Sequence, residues 1–127
     1  MFEKLELIQM AQSLAAQSGA RMAVIAENVA NADTPGYKAR DIPSFAEAYA
    51  ADPDQMRATR PGHLTGSSTA TTPLPERSRG NESPNGNSVS LEAEMVKSVE
   101  ARQNHDMALA IYRATSDVIR ASLGRNR

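Results

Sequence analysis

Each end of this chain carries apolar residues at helical spacing, and the stretch between them holds almost nothing that can be buried. That arrangement constrains the fold more than any other feature. Ile8, Ala15, Met22 and Val29 recur every seven residues, as do Ala11, Ser18, Ile25 and Ala32. Both sets fall on one face of a helix, and Leu7 and Leu14 widen it. The spacing predicts one long helix from residue 3 to about residue 32. Glu3 and Glu6 sit in its first turn, where the macrodipole favours negative charge. Gly19 interrupts the run at a cost of about 1 kcal/mol relative to Ala, and is expected to mark a bend or a close backbone contact. The pattern stops at Asn31-Ala-Asp-Thr-Pro-Gly-Tyr37. Pro35-Gly36 is a turn signal, and Pro35 pushes Thr34 out of helical geometry.

A second helix is predicted from Ser90, a suitable N-cap, with Glu92 and Glu94 in its first turn. Leu91, Met95, Val99, Leu109, Tyr112, Ile119 and Leu123 follow at helical spacing, interrupted by Gln103, His105 and Asp106. Gly124 is expected to stop it, with Arg120 near the negative end. These seven, with Ile8, Ala15, Met22, Ile25 and Val29, form the predicted helix seam.

Between the helices the character changes. Six of the seven prolines lie at or after Pro43, and residues 58–87 are mainly Thr, Ser, Pro, Gly, Asn and charged groups. Too little apolar surface is available there to offset the entropy of ordering, so the isolated chain is expected to be flexible. Phe45, Tyr49 and Met56 are spaced for a short helix before it. The chain therefore divides into residues 1–42 (first helix and turn motif), 43–88 (a flexible polar middle, either a true linker or a segment that orders only on assembly) and 89–127 (second helix). The expected fold is mainly α, its two terminal helices pairing as a coiled-coil-like hairpin.

Composition says what such a hairpin is for. Only 4% of residues are aromatic, so a compact aromatic core is poorly supplied. Two thin apolar stripes scarcely offset their own ordering cost at about 25 cal/mol per Å², and further helices from other chains are the remedy. Fourteen basic and fifteen acidic residues give a net charge of -1, without the basic excess of a nucleic-acid binder. Arg120, Arg125 and Arg127 read as favourable charge at a helix C-terminus. There is no cysteine, no basic start followed by an apolar run, and no stretch of about 20 apolar residues to enter a bilayer. His63 and His105 stand alone without further metal ligands. No serine sits in a nucleophile elbow and no glycine loop cradles phosphate. Met22, Met95 and Met107 read as seam filling. Neither an enzyme nor a cofactor is expected.

The densest signal is Asn28-Val-Ala-Asn31 followed by Asp33-Thr-Pro-Gly-Tyr37. It resembles the N-terminal signature of the axial proteins of the bacterial flagellum, the rod and hook family. Gly86-Asn-Ser-Val-Ser-Leu-Glu-Ala-Glu-Met95 and the helix after it resemble the shortest members, which lack folded middle domains. The resemblance implies terminal helices paired in a coiled coil and stacked helically into a hollow tube, the drive shaft that transmits torque in motility. It implies a subunit-interface role for Asn28, Asn31, Thr34, Pro35, Gly36 and Tyr37. It further implies partners: copies of the chain, other rod proteins, an adapter to the membrane-anchored ring, and the type III export apparatus, which passes such proteins uncleaved to the periplasmic rod of the basal body. A Phe followed four positions later by a hydrophobic residue is an export-gate pattern of the family, and Phe45 and Tyr49 fit it, though packing explains the pair equally. The residues alone leave open an intracellular helical adaptor or export chaperone, or a small DNA-associated regulator using the C-terminal arginines.

Overall fold

The computed structural model describes residues 2–50, 73–78 and 81–124. Two long helices, α1 (Phe2–Ala30) and α3 (Leu91–Gly124), pack against each other as a hairpin. Three small elements lie near the α1 end: β1 (Arg40–Asp41), α2 (Phe45–Ala50) and β2 (Glu76–Arg77). β1 and β2 form an antiparallel ladder with Arg40 opposite Arg77 and Asp41 opposite Glu76.

The interface between α1 and α3 runs along residues at heptad spacing, most of them small. Ala11, Ser18 and Ile25 are buried on α1; Glu94, Ala101, Ala108 and Thr115 are buried on α3. A strict step of seven keeps a seam facing its partner along a left-handed supercoil, and the short side chains of Ala11, Ser18, Ala101 and Ala108 let the backbones come close. This corrects the α3 half of the predicted seam. Leu91, Met95, Val99, Tyr112 and Leu123 are exposed, while Leu109 and Ile119 are half-buried. On α1, Ile25 is buried, Ile8, Ala15 and Met22 are half-buried, and Val29 is exposed. Choosing the large apolar residues misplaces the seam because α3 carries two stripes, and the closer packing belongs to the one with smaller side chains.

Gly19 makes no close contact: α1 runs through it without a break, and a Cβ there would meet nothing within 4 Å. Ser18 is the exception in the seam, 1% exposed with a hydroxyl that finds no hydrogen-bond partner among the described residues. A buried donor without a partner costs about 1–3 kcal/mol. Ser18→Ala is therefore expected to raise the melting temperature by a few degrees, followed by circular dichroism. A lower melting temperature would show that the hydroxyl is satisfied.

The helix starts follow local chemistry. Ser90 caps α3, its hydroxyl accepting from the Ala93 amide at 3.4 Å and its carbonyl from Glu94 at 2.9 Å. α2 opens with a capping box, in which Ser44 and Glu47 exchange side-chain and backbone hydrogen bonds. Those donors from Ser44 hold the Glu47 carboxyl below its ordinary pKa. Met56, predicted to extend this helix, lies outside the described residues, as do His63, Arg125 and Arg127.

Candidate functional site

The turn motif folds into a clasp where α1 ends. Thr34-Pro35-Gly36-Tyr37 is a tight turn closed by the Tyr37 amide on the Thr34 carbonyl at 3.3 Å. Gly36 takes φ +74°, the left-handed conformation this turn demands and glycine supplies. A second proline turn, Ser83-Pro84-Asn85-Gly86, lies against it, closed by the Gly86 amide on Ser83 at 2.8 Å. The Gly36 amide donates to Asn85 at 3.0 Å. Gly86 has φ +79°, and a Cβ on it would come 3.4 Å from the Gly36 Cα. Each glycine is needed for the positive φ of its own turn, and a Cβ on Gly36 would meet nothing within 4 Å.

Asn28 is fully buried, and all four of its hydrogen-bonding positions are used. Its amide nitrogen donates to the Arg40 carbonyl at 2.6 Å and to Glu94 Oε2 at 3.0 Å. Its oxygen accepts from the Arg40 amide at 3.0 Å and the Tyr37 hydroxyl at 3.3 Å. One side chain thus ties α1 to the turn, to β1 and to α3. Burial raises the Tyr37 pKa, with Glu27 adding to the rise and Arg40 opposing it, so the phenol keeps the proton it donates. Asn31 behaves differently. Its amide caps its own helix on the Glu27 carbonyl at 2.8 Å, and its oxygen accepts from Thr34 at 3.3 Å.

Asn87 is the counterpart of Asn28 on the returning segment before α3, 2% exposed. Its amide nitrogen faces the carbonyls of Asn31, Ala32 and Thr34 at 2.9, 2.7 and 2.9 Å. These carbonyls belong to the turn that follows α1; those of Asn31 and Thr34 also accept from the Thr34 and Tyr37 amides. Its oxygen accepts from the Val89 amide at 2.8 Å. Ser88 completes the seam between segments, donating through its amide to Tyr37 and accepting from the Ala39 amide. Residues 81–88 therefore have a defined place. They belong to the stretch predicted to be flexible, and polar side chains aimed at backbone groups do there what apolar burial was expected to do.

A chain of charges runs beneath the clasp. Glu94, 2% exposed, accepts from Lys97 at 2.9 Å; Lys97 reaches Asp41 at 3.2 Å; Arg21 meets Asp41 at 3.1 Å and Glu100 at 3.7 Å. Burial raises the Asp41 pKa, but the Arg21 hydrogen bond and the charges of Arg21 and Lys97 outweigh it, leaving the carboxyl below its ordinary value. For Lys97, burial lowers the pKa, and hydrogen bonds and charge from Glu94 and Asp41 outweigh that, leaving it raised.

The signs set a pH window. Stability from the depressed Asp41 is present above its unfolded pKa, about 3.9, and is lost as pH falls through its folded value. Stability from the raised Lys97 is present below its unfolded pKa, about 10.4, and is lost as pH rises through its folded value. The melting temperature is expected to be flat from about pH 5 to 9 and to fall on both sides. Asp41→Asn should melt lower at pH 7 and lose less between pH 5 and 3. An unchanged acid limb in that variant would remove Asp41 from the network.

Sequence reasoning singled out Asn28 and Tyr37 but missed Asn87, Arg21, Asp41 and Lys97. Glu94 was read as a first-turn acid, although its position seven residues before Ala101 puts it on the seam. Of the remaining motif residues, Asn31 is half-buried and Thr34, Pro35 and Gly36 are exposed. Phe45 lies at the start of α2 and is half-buried; Tyr49 lies in its last turn. Among the described residues, no group of three or more His, Cys, Asp or Glu is placed to hold a metal ion. Among the described residues, no helix is long and apolar enough to cross a membrane.

Comparison with known proteins converges on this region. The family described as flagella basal body rod protein matches residues 8–38, which contain the first half of the clasp. The flagellar basal body rod protein FlgB of Agrobacterium fabrum (strain C58) is 32% identical over 119 residues, 88% of this chain and 88% of the relative. That alignment is long enough to reach into both helices and to span both proline turns, and on it the chain belongs to the flagellar basal body rod protein family.

Proposed function

We propose that this chain is a structural subunit of the proximal rod, assembling with copies of itself and other rod proteins into the hollow shaft that carries torque. The observation that supports this most is the clasp. Asn28, Asn31 and Tyr37 are spent within the chain, and they hold Thr34, Pro35 and Gly36 outward as a rigid, exposed rim. The interface role expected of all six residues is thereby narrowed: the rim meets the neighbouring subunit, and the asparagines and tyrosine fix its shape. On this reading the chain is not an enzyme. It passes uncleaved through the type III export apparatus, with Phe45 and Tyr49 read at the export gate, and takes its place in the periplasmic rod beside the adapter to the membrane-anchored ring.

The test is peptide mass spectrometry on purified hook–basal bodies from the source cells, with several copies per particle expected. Absence from intact particles would return the chain to the intracellular adaptor reading. Thr34→Lys separates rim from scaffold. It should melt within about 0.5 kcal/mol of the parent, as exposed substitutions do, yet be depleted from the particles. Undiminished incorporation would remove the rim from the interface.

A further inference from the structure

The exposed apolar residues of α3 are ordered. Val96, Met107 and Val118 are 11 residues apart, and so are Val99, Ala110 and Ala121. All six are exposed, with Val96 at 61%, Val99 at 67%, Met107 at 48% and Val118 at 49%. The inner face of the same helix steps by seven, so α3 carries two seams of different period. An 11-residue repeat advances about 3.67 residues per turn. The outer stripe therefore runs nearly straight for about 38 Å, on the side turned away from α1.

A charge row repeats with it. Arg102 and Asp106 return 11 residues later as Arg113 and Asp117. At about 3.67 residues per turn, all four lie on one flank of the stripe, about 65–100° from its midline. Among the described residues none of them forms an ion pair except Asp106, approached by His105 at 3.9 Å. The opposite flank holds Glu100, Ile111 and Ser122, and Glu100 already faces Arg21.

These placements decide both the occupant and its direction. In a parallel helix pair each flank meets the partner's opposite flank; in an antiparallel pair each flank meets its own copy. On the far flank the Arg/Asp row would meet a single charge, Glu100, which already faces Arg21, whereas it is complementary to itself reversed along its whole length. The apolar stripe has the same symmetry. About a two-fold axis between residues 108 and 109, Val96 falls opposite Ala121, Val99 opposite Val118, and Met107 opposite Ala110 of the second copy. Arg102 then lies within about 3 Å axially of Asp117, and Asp106 of Arg113, along the 1.5 Å rise, which a flexible arginine spans. Such an isologous contact uses each pair twice.

We propose that α3 pairs antiparallel with α3 of a second copy of this chain through the outer stripe, giving a two-fold dimer before assembly. A tube built head to tail needs parallel subunits, so this dimer must part before the chain joins one. The rod reading does not depend on it, and detection in basal bodies tests that reading separately.

The chain has no cysteine, so single cysteines introduced at exposed sites of the full chain report pairing directly. Val99→Cys mixed with Val118→Cys is expected to cross-link under mild oxidation, and neither variant alone should. Cross-linking of each variant with itself would show parallel pairing, and no cross-link in any mixture would show a monomer; either overturns the proposal. Asp106→Arg with Asp117→Arg should weaken the dimer at least about tenfold in sedimentation equilibrium, through four like-charge contacts. Adding Arg102→Asp and Arg113→Asp restores the pattern in reverse and should bring the affinity back to within about threefold. Failure of that rescue would take the charge row out of the contact.

Discussion

Asn28→Ala is expected to lower the melting temperature by about 10 °C, equivalent to roughly 3 kcal/mol in a chain of this size. The estimate rests on what the substitution leaves behind. The Arg40 amide and carbonyl lose their partners, the Tyr37 hydroxyl loses its acceptor, and the Glu94 carboxylate stays buried with only Lys97 beside it. Asn28→Asp is the sharper test because it keeps the shape. It sets a second carboxylate against Glu94 Oε2, which Asn28 now meets at 3.0 Å, where like charges repel and one must take up a proton. Asn28→Asp should therefore melt below Asn28→Ala at pH 7, and the gap should close as pH approaches 4. Equal melting of both variants at pH 7 would mean that the link to Glu94 contributes nothing.

Asn87→Ala is expected to cost about 2–3 kcal/mol, measured by chemical denaturation. In the turn after α1 the Ala32 carbonyl loses its donor, those of Asn31 and Thr34 keep only the Thr34 and Tyr37 amides, and the Val89 amide loses its acceptor just ahead of α3. Asn87→Asp should cost more, since it turns a carboxylate toward those three oxygens. Asn31→Ala provides the contrast. Its bonds are local and solvent-reachable, and it should cost less than about 1 kcal/mol. If Asn31→Ala proved as damaging as Asn87→Ala, the clasp would hang on the helix end rather than on the returning segment.

That contrast marks how far the sequence could be read. Both helices announce themselves through periodicity, and the Ser90 cap and the Pro35-Gly36 turn follow from local chemistry. The two motif asparagines, one turn apart, look equivalent in sequence, and only tertiary structure separates them. Asn28 faces α3 and is buried; Asn31 turns back on its own helix. Asn87 was illegible for a different reason. It sits in a polar run that lacks apolar residues, and its partners are carbonyls, which every residue possesses and no sequence pattern advertises. The α3 seam was missed because hydrophobicity favours Leu91, Met95 and Val99, whereas close approach favours Ala101 and Ala108. The step of seven from Glu94 to Thr115 was present in the sequence, disguised by a charged and a polar residue at its ends.

The Asn28 to Glu94 hydrogen bond joins residues 66 positions apart, and the order of events along the chain follows from that distance. α1 lies far ahead of its partners in the sequence, and closing so long a loop must precede any gain from the contact. A chain that ends before Glu94 keeps every residue of the N-terminal motif and still leaves the Asn28 amide short of one acceptor, with no α3 to cover the seam. The motif therefore acts as a check on completeness: its first half is written early, and it locks only when the last quarter of the polypeptide arrives.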